Sequence, residues 1–234
     1  MKYMLEVSLI ALTLIEAVTS SPSKQSSPEI PTLRPGISVE MAATSTAKPV
    51  PDADQLDAFV LTVTDRGIVY EGTNTIAASE LTQEINHRFA ARHQKLYIKA
   101  DARTPYASVS RVLQSAQASG IESPILLTAQ RGVAAAPGTI MPPEGIEVSI
   151  GSASPSGTVA TVVQLLGPPE AHVKVNNDEI AAATLTDALK QHFQKGDDKV
   201  VLLKANAQLP FADVVRAIDN CRAVGAGVYL SEDE

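Results

Sequence analysis

The 234-residue chain has no tryptophan, and aromatic residues make up only 4% of it. Its apolar mass, 44% of all residues, is therefore carried mostly by Ala, Val, Ile and Leu, which suit thin layers of helix on sheet. Cysteine is nearly missing as well. Cys221 alone permits no intrachain disulfide and no cysteine-based zinc cluster. Basic residues are outnumbered, 19 Lys and Arg against 26 Asp and Glu, for a formal net charge of -7. A protein that grips a phosphate backbone needs the opposite balance, so no nucleic-acid partner is expected. There is no Walker loop, dinucleotide fingerprint, nucleophile elbow or HExxH helix. His87, His93, His172 and His192 show no spacing that pairs them with acids or with the lone thiol, so no metal or other cofactor is expected. The chain does not read as an enzyme; a hydrolase would need a site scattered in sequence.

What is present is a repeat. Tyr97-Ile98-Lys99-Ala100-Asp101 followed by Pro105-Tyr106-Ala107-Ser108-Val109 recurs as Leu202-Leu203-Lys204-Ala205-Asn206 followed by Pro210-Phe211-Ala212-Asp213-Val214. The offset, from Lys99 to Lys204, is 105 residues, and it also carries Arg111 onto Arg216, Leu113 onto Ile218 and Gly120 onto Gly225. Upstream the offset shortens by one, so that Leu81, Ile85 and Phe89 fall on Leu185, Leu189 and Phe193. Further upstream, Gly36-Ile37-Ser38-Val39 parallels Gly145-Ile146-Glu147-Val148.

Within each copy the periodicities come in a fixed order. Residues 59–63 alternate as a strand, Asp65-Arg66-Gly67 is a turn and 68–70 return, which predicts a hairpin. Leu81, Ile85 and Phe89 step by four and predict a helix with one apolar face. A short buried strand follows at 96–100. Thr104-Pro105 then has the look of a cap before a second helix, Gly120 of the left-handed residue after it, and 125–127 of a closing strand. The expected fold class is α/β of the two-layer α+β kind. An N-terminal membrane helix would be followed by two repeated small domains, each with two helices on one face of a mixed sheet. The predicted boundaries are a membrane segment or signal anchor over 1–20, a Ser/Pro-rich linker over 21–35, a first copy over 36–128, a linker over 129–144 and a second copy over 145–234.

Single residues read mostly as structural. Lys99 and Lys204 suit strand ends reaching solvent, Asp101 and Asn206 suit turns or caps, and Cys221 sits on an apolar helix face as an inert thiol.

The order of these motifs resembles the periplasmic domain of the ExbD/TolR family, with its Gly-Ile-x-Val strand, hairpin, helix and Lys-Ala-Asp/Pro-Tyr segment. The second copy departs from it at Asn206 and Phe211. Met4-Leu5-Glu6-Val7 and the apolar run to Val18-Thr19 resemble the family's membrane helix, with Glu6 at the place of its membrane aspartate. The resemblance implies a subunit of a proton-motive-force-driven envelope transport system, single-pass in the bacterial inner membrane with its bulk in the periplasm. Glu6 would be the proton-coupling residue. It also implies an ExbB/TolQ-like channel partner, a TonB- or TolA-like envelope partner, and paired periplasmic domains, here as an internal pseudo-dimer or a homodimer. The competing reading of residues 1–20 is a signal peptide that exports a periplasmic binding or scaffold module without energy coupling.

Overall fold

The computed structural model describes residues 35–92, 95–130, 142–151, 160–167, 172–193 and 199–231. The expected membrane segment, with Glu6, lies outside them. Among the described residues no helix is long and apolar enough to cross a membrane.

The first sheet is built from β1 (Ala43–Thr44), β2 (Lys48–Pro49), β3 (Phe59–Val63), β4 (Val69–Glu71), β5 (Asn74–Ile76), β6 (Leu96–Ala100), β7 (Ile125–Gln130) and β8 (Glu144–Glu147). Helix α1 (Leu81–Arg92) connects β5 to β6, and α2 (Tyr106–Ala118) connects β6 to β7. The strand order is β2-β8-β7-β6-β3-β4-β5, with β1 pairing in parallel to β7. Strands β3, β6 and β7 are parallel neighbours, and β3-β4-β5 is an antiparallel meander.

The second sheet contains β9 (Ser149–Ile150), β10 (Thr161–Leu165), β11 (His172–Val175), β12 (Asp178–Ala181), β13 (Val200–Ala205) and β14 (Gly227–Ser231), with helices α3 (Leu185–His192) and α4 (Phe211–Ala223). Its order is β12-β11-β10-β13-β14-β9. A parallel trio, β10-β13-β14, again continues into an antiparallel meander, β10-β11-β12.

Alternation along the strands decides which face meets the helices. Leu61, Val63, Ile98, Ala100 and Leu126 point into one cluster with Leu81, Ile85, Val109, Val112 and Ala116. Leu203, Val201, Leu185, Leu189, Val214, Ile218 and Cys221 belong to the same cluster, so one core runs through both halves. The other face of the first sheet is not bare. Tyr97, Ile125 and Leu127 are covered by Met41, Val50, Ala53 and Ala58, which adds a third layer to the two expected.

The hairpin turn falls where Asp65-Arg66-Gly67 places it: Gly67 adopts φ +73° and its N–H donates to the Thr64 carbonyl. Phe193 lies one residue past α3 and Phe89 in the last turn of α1, and both are only half-buried, packed at the edge of the core. Gly120 and Gly225, at φ +79° and +80°, close α2 and α4 as expected. Thr104, however, is not a cap. Its hydroxyl is fully buried with no partner among the described residues, and α2 begins after Pro105, which is extended at ψ 136°.

Candidate functional site

The first turns of α2 and α4 need partners for N–H groups that no helix can satisfy internally. Neither helix has a side-chain cap. Each uses the other half instead. Tyr106 N–H donates to the Leu209 carbonyl at 2.8 Å, and Phe211 N–H donates to the Thr104 carbonyl at 2.8 Å. Ala107 donates to Ala207 and Ala212 to Ala102, both at 2.9 Å. Pro105 and Pro210 face each other in an antiparallel bridge at the centre. Tyr106 and Phe211, 5% and 1% exposed, fill the space beside it. This seam explains why Thr104 does not cap: the Tyr106 and Ala107 N–H groups that its hydroxyl would accept from are already bonded to Leu209 and Ala207.

The loops entering the seam are shaped by Asp101 and Asn206, which both make the turn expected of them. Arg103 N–H donates to Asp101 Oδ1 at 3.0 Å, and Gln208 N–H donates to Asn206 Oδ1 at 2.9 Å. Asp101 does more than its counterpart. It also receives Glu40 N–H and both Nε and Nη2 of Arg103. The Arg103 side-chain hydrogen bonds hold its pKa down at about 2, against a smaller opposing effect of burial.

A second cluster gathers at the arm formed by residues 40–50. Ala102 N–H donates to the Glu40 carbonyl at 2.7 Å, Ala129 N–H to the Ala42 carbonyl at 2.9 Å, and the Thr44 and Thr128 hydroxyls meet at 2.9 Å. The arm then reaches α4. Asp219, only 3% exposed, accepts the backbone N–H and the hydroxyl of both Ser45 and Thr46 at 2.6 to 3.1 Å. Burial alone would raise its pKa, but the hydrogen bonds from Thr46 and Ser45 outweigh it and lower the pKa below the usual carboxylate value. Sequence reasoning missed Asp219. The available signal was an acid one turn after Val215 and next to Ile218, on the apolar face of a helix.

Of the two lysines expected as strand-end charges reaching solvent, Lys99 departs from that reading. Its Nζ donates to the Ile37 carbonyl at 3.0 Å, just before the arm, and burial lowers its pKa against the attraction of Asp54. Lys204 lines a groove of about 410 Å³ with Leu202 and Ser231 from the second sheet and Tyr106, Gln114 and Gln117 from α2. Gln114 is the residue 105 positions before Asp219, so the two helices present different chemistry at matching places. Cys221 is buried as expected, which pushes its thiol pKa up to about 12. His172 corrects another expectation: it has an acid partner, Glu179, at 2.6 Å across the exposed β11-β12 hairpin. Asp101, Asp219 and the seam are thus brought together around the arm, while Glu6 lies outside the described residues.

No curated protein matches the chain. The sequence model of one family, described as Biopolymer transport protein ExbD/TolR, matches residues 18–131 and again residues 135–232. Those two matches take in most of the chain, which belongs to the ExbD/TolR family.

Proposed function

We propose that this chain is a non-enzymatic, single-pass inner-membrane subunit of a proton-motive-force-driven envelope transport system, carrying two tandem copies of the family's periplasmic domain. Biopolymer transport is the role of the family as its description states it. The observation that carries the duplication is the double match, one over each half, joined by a seam whose hydrogen bonds exchange under the same 105-residue offset as the sequence repeat. On this reading the two copies form an internal pseudo-dimer, and one chain supplies the paired domains that the family uses.

Glu6 would carry the proton. An ionisable side chain inside an apolar membrane segment faces a partner or a water-filled path, and a carboxylate can take up and release a proton there. The implied partners are an ExbB/TolQ-like channel subunit around the membrane helix and a TonB- or TolA-like protein at the periplasmic face. Movement at the membrane reaches the folded body through the Ser/Pro-rich residues 21–35 and then the arm.

Membrane fractionation with N-terminal sequencing of the mature chain is the test. An intact N-terminus in the membrane fraction supports the anchor. A soluble periplasmic chain beginning after residue 20 replaces it with the exported binding or scaffold module.

A further inference from the structure

We propose that Asp219 is a releasable latch, which holds the arm over residues 40–50 on α4 and lets go when the chain N-terminal to it is pulled. The role of tension rests on the function proposed above; the latch itself rests on geometry.

Away from this carboxylate the arm is held by bonds spread along it, at Glu40, Ala42, Thr44 and Val50. Its two strands, β1 and β2, are two residues each, so their pairing to β7 and β8 is short. Of residues 42–50, only Ala42 and Thr44 are buried; Lys48 and Pro49 are exposed. Its apolar contacts are split between two faces, Ala42 and Ala47 on the main core and Met41 and Val50 on the outer face of the first sheet, so no single apolar cluster pins the 42–50 stretch. Against that background, five hydrogen bonds converge on one ionised side chain, from two consecutive residues. Charge-assisted bonds are the stronger kind, and here they share a single acceptor, so they are lost together.

Position adds the second half of the argument. A pull from the N-terminal side meets Lys99 at Ile37, then Asp101 at Glu40, then β1, and only then Asp219. The first contacts belong to the first half; the last belongs to α4, two turns from the N-terminus it shares with the seam. Opening the latch frees a carboxylate into water, where it stays ionised, so the step costs no buried charge and can reverse. The arm is thereby the one described element that ties the entering chain to the second half without passing through the seam.

Hydrogen exchange on the full chain in detergent micelles tests this, with no gradient and no partner present. Asp219→Asn, and separately Ser45→Ala combined with Thr46→Ala, should raise the exchange of the arm's amides by roughly 10- to 100-fold. Protection in β6 and β13 should be unchanged. Arm amides that exchange as slowly as in the unaltered chain in both variants would overturn the latch. So would a loss of protection that spreads equally through α4 and β13 in both, because Asp219 would then be part of the core. Neither result depends on Glu6 or on energy coupling, so failure here and failure of the proposed function are separable.

Discussion

Pro105 and Pro210 pair across an antiparallel bridge and stand 105 residues apart, the same spacing that relates Lys99 to Lys204. A local two-fold axis therefore passes between them: exchanging the halves turns the Tyr106 to Leu209 hydrogen bond into the Phe211 to Thr104 bond, and Ala107 to Ala207 into Ala212 to Ala102. Neither proline has an N–H to give, so the bonds come from the residues that follow them. The helix N-termini are satisfied by carbonyls of the opposite half, and each half completes the other.

Thr104 offers a clean probe of that seam. Its hydroxyl is fully buried and has no partner among the described residues, a loss not offset by its carbonyl bond to Phe211. Thr104→Val keeps the shape and removes the unsatisfied group. The expected gain is about 1 kcal/mol in urea denaturation of the purified chain. A loss of that size would mean that the hydroxyl has a partner, such as an ordered water.

The core predictions separate helix centres from helix ends. Ile85 and Leu189 are 0% exposed, so truncating either to Ala should cost about 2–5 kcal/mol. Phe193 lies beyond α3 and is half-buried, so Phe193→Ala should cost only roughly 1–2 kcal/mol. Equal losses at Phe193 and Leu189 would place the ring deep in the core.

Stability should fall in acid through Asp101. Its folded pKa, about 2, lies below the unfolded value of about 3.9, so the unfolded chain binds the proton first as pH falls. The stabilisation is fully present above about pH 4 and is lost between about pH 4 and pH 2. Asp219 acts in the same direction. Asp101→Asn should flatten that part of the pH profile measured by thermal melting, while an unchanged profile would remove Asp101 as its source.

How far the sequence spoke depended on whether a feature was periodic or relational. The strand at 96–100, the turn at Gly67 and the glycines that end α2 and α4 all follow from local pattern, and each stands where the residues place it. Thr104 misled because its cap pattern was local, whereas the carbonyls that take the N–H groups it would have capped, Leu209 and Ala207, lie about a hundred residues away in sequence. Asp219 was hidden for a similar reason: its partners, Ser45 and Thr46, sit in an unremarkable polar stretch far upstream. The exchange of strand β8 could not be read either. Gly145 and Ile146 resemble the start of a second copy, yet they pair antiparallel to β7 of the first sheet, and only Ser149 and Ile150 reach β14.

Energy coupling provides the functional prediction. Glu6→Gln should abolish energy-dependent uptake or envelope integrity in a complemented strain while leaving membrane abundance unchanged, since an amide cannot carry the proton. Glu16, the other acid in the same apolar run, has no counterpart in the family pattern, so Glu16→Gln should be mild. Full activity with Glu6→Gln would remove the proton role.

The last prediction concerns the contact that sets the hairpin on α2. Gly67 holds φ +73°, and a Cβ built there would lie 2.3 Å from Ser108 Oγ and 3.1 Å from Ser108 Cβ. Ser108 is in the first turn of α2, two residues after the Tyr106 that enters the seam, so the β3-β4 hairpin rests directly on the seam's support. Gly67→Ala should therefore carry two penalties: about 1–2 kcal/mol for a left-handed backbone, and a further cost from the collision with the hydroxyl. Replacing Ser108 with Ala removes the nearer atom but not the strained φ. In the double variant the loss should shrink by roughly 1 kcal/mol without vanishing, a coupling that a double-mutant cycle measures directly. Strict additivity would mean that the hairpin moves away from α2 to admit the methyl group. In that case Gly67 would be needed for its backbone alone, and the hairpin would not brace the helix that begins at the seam.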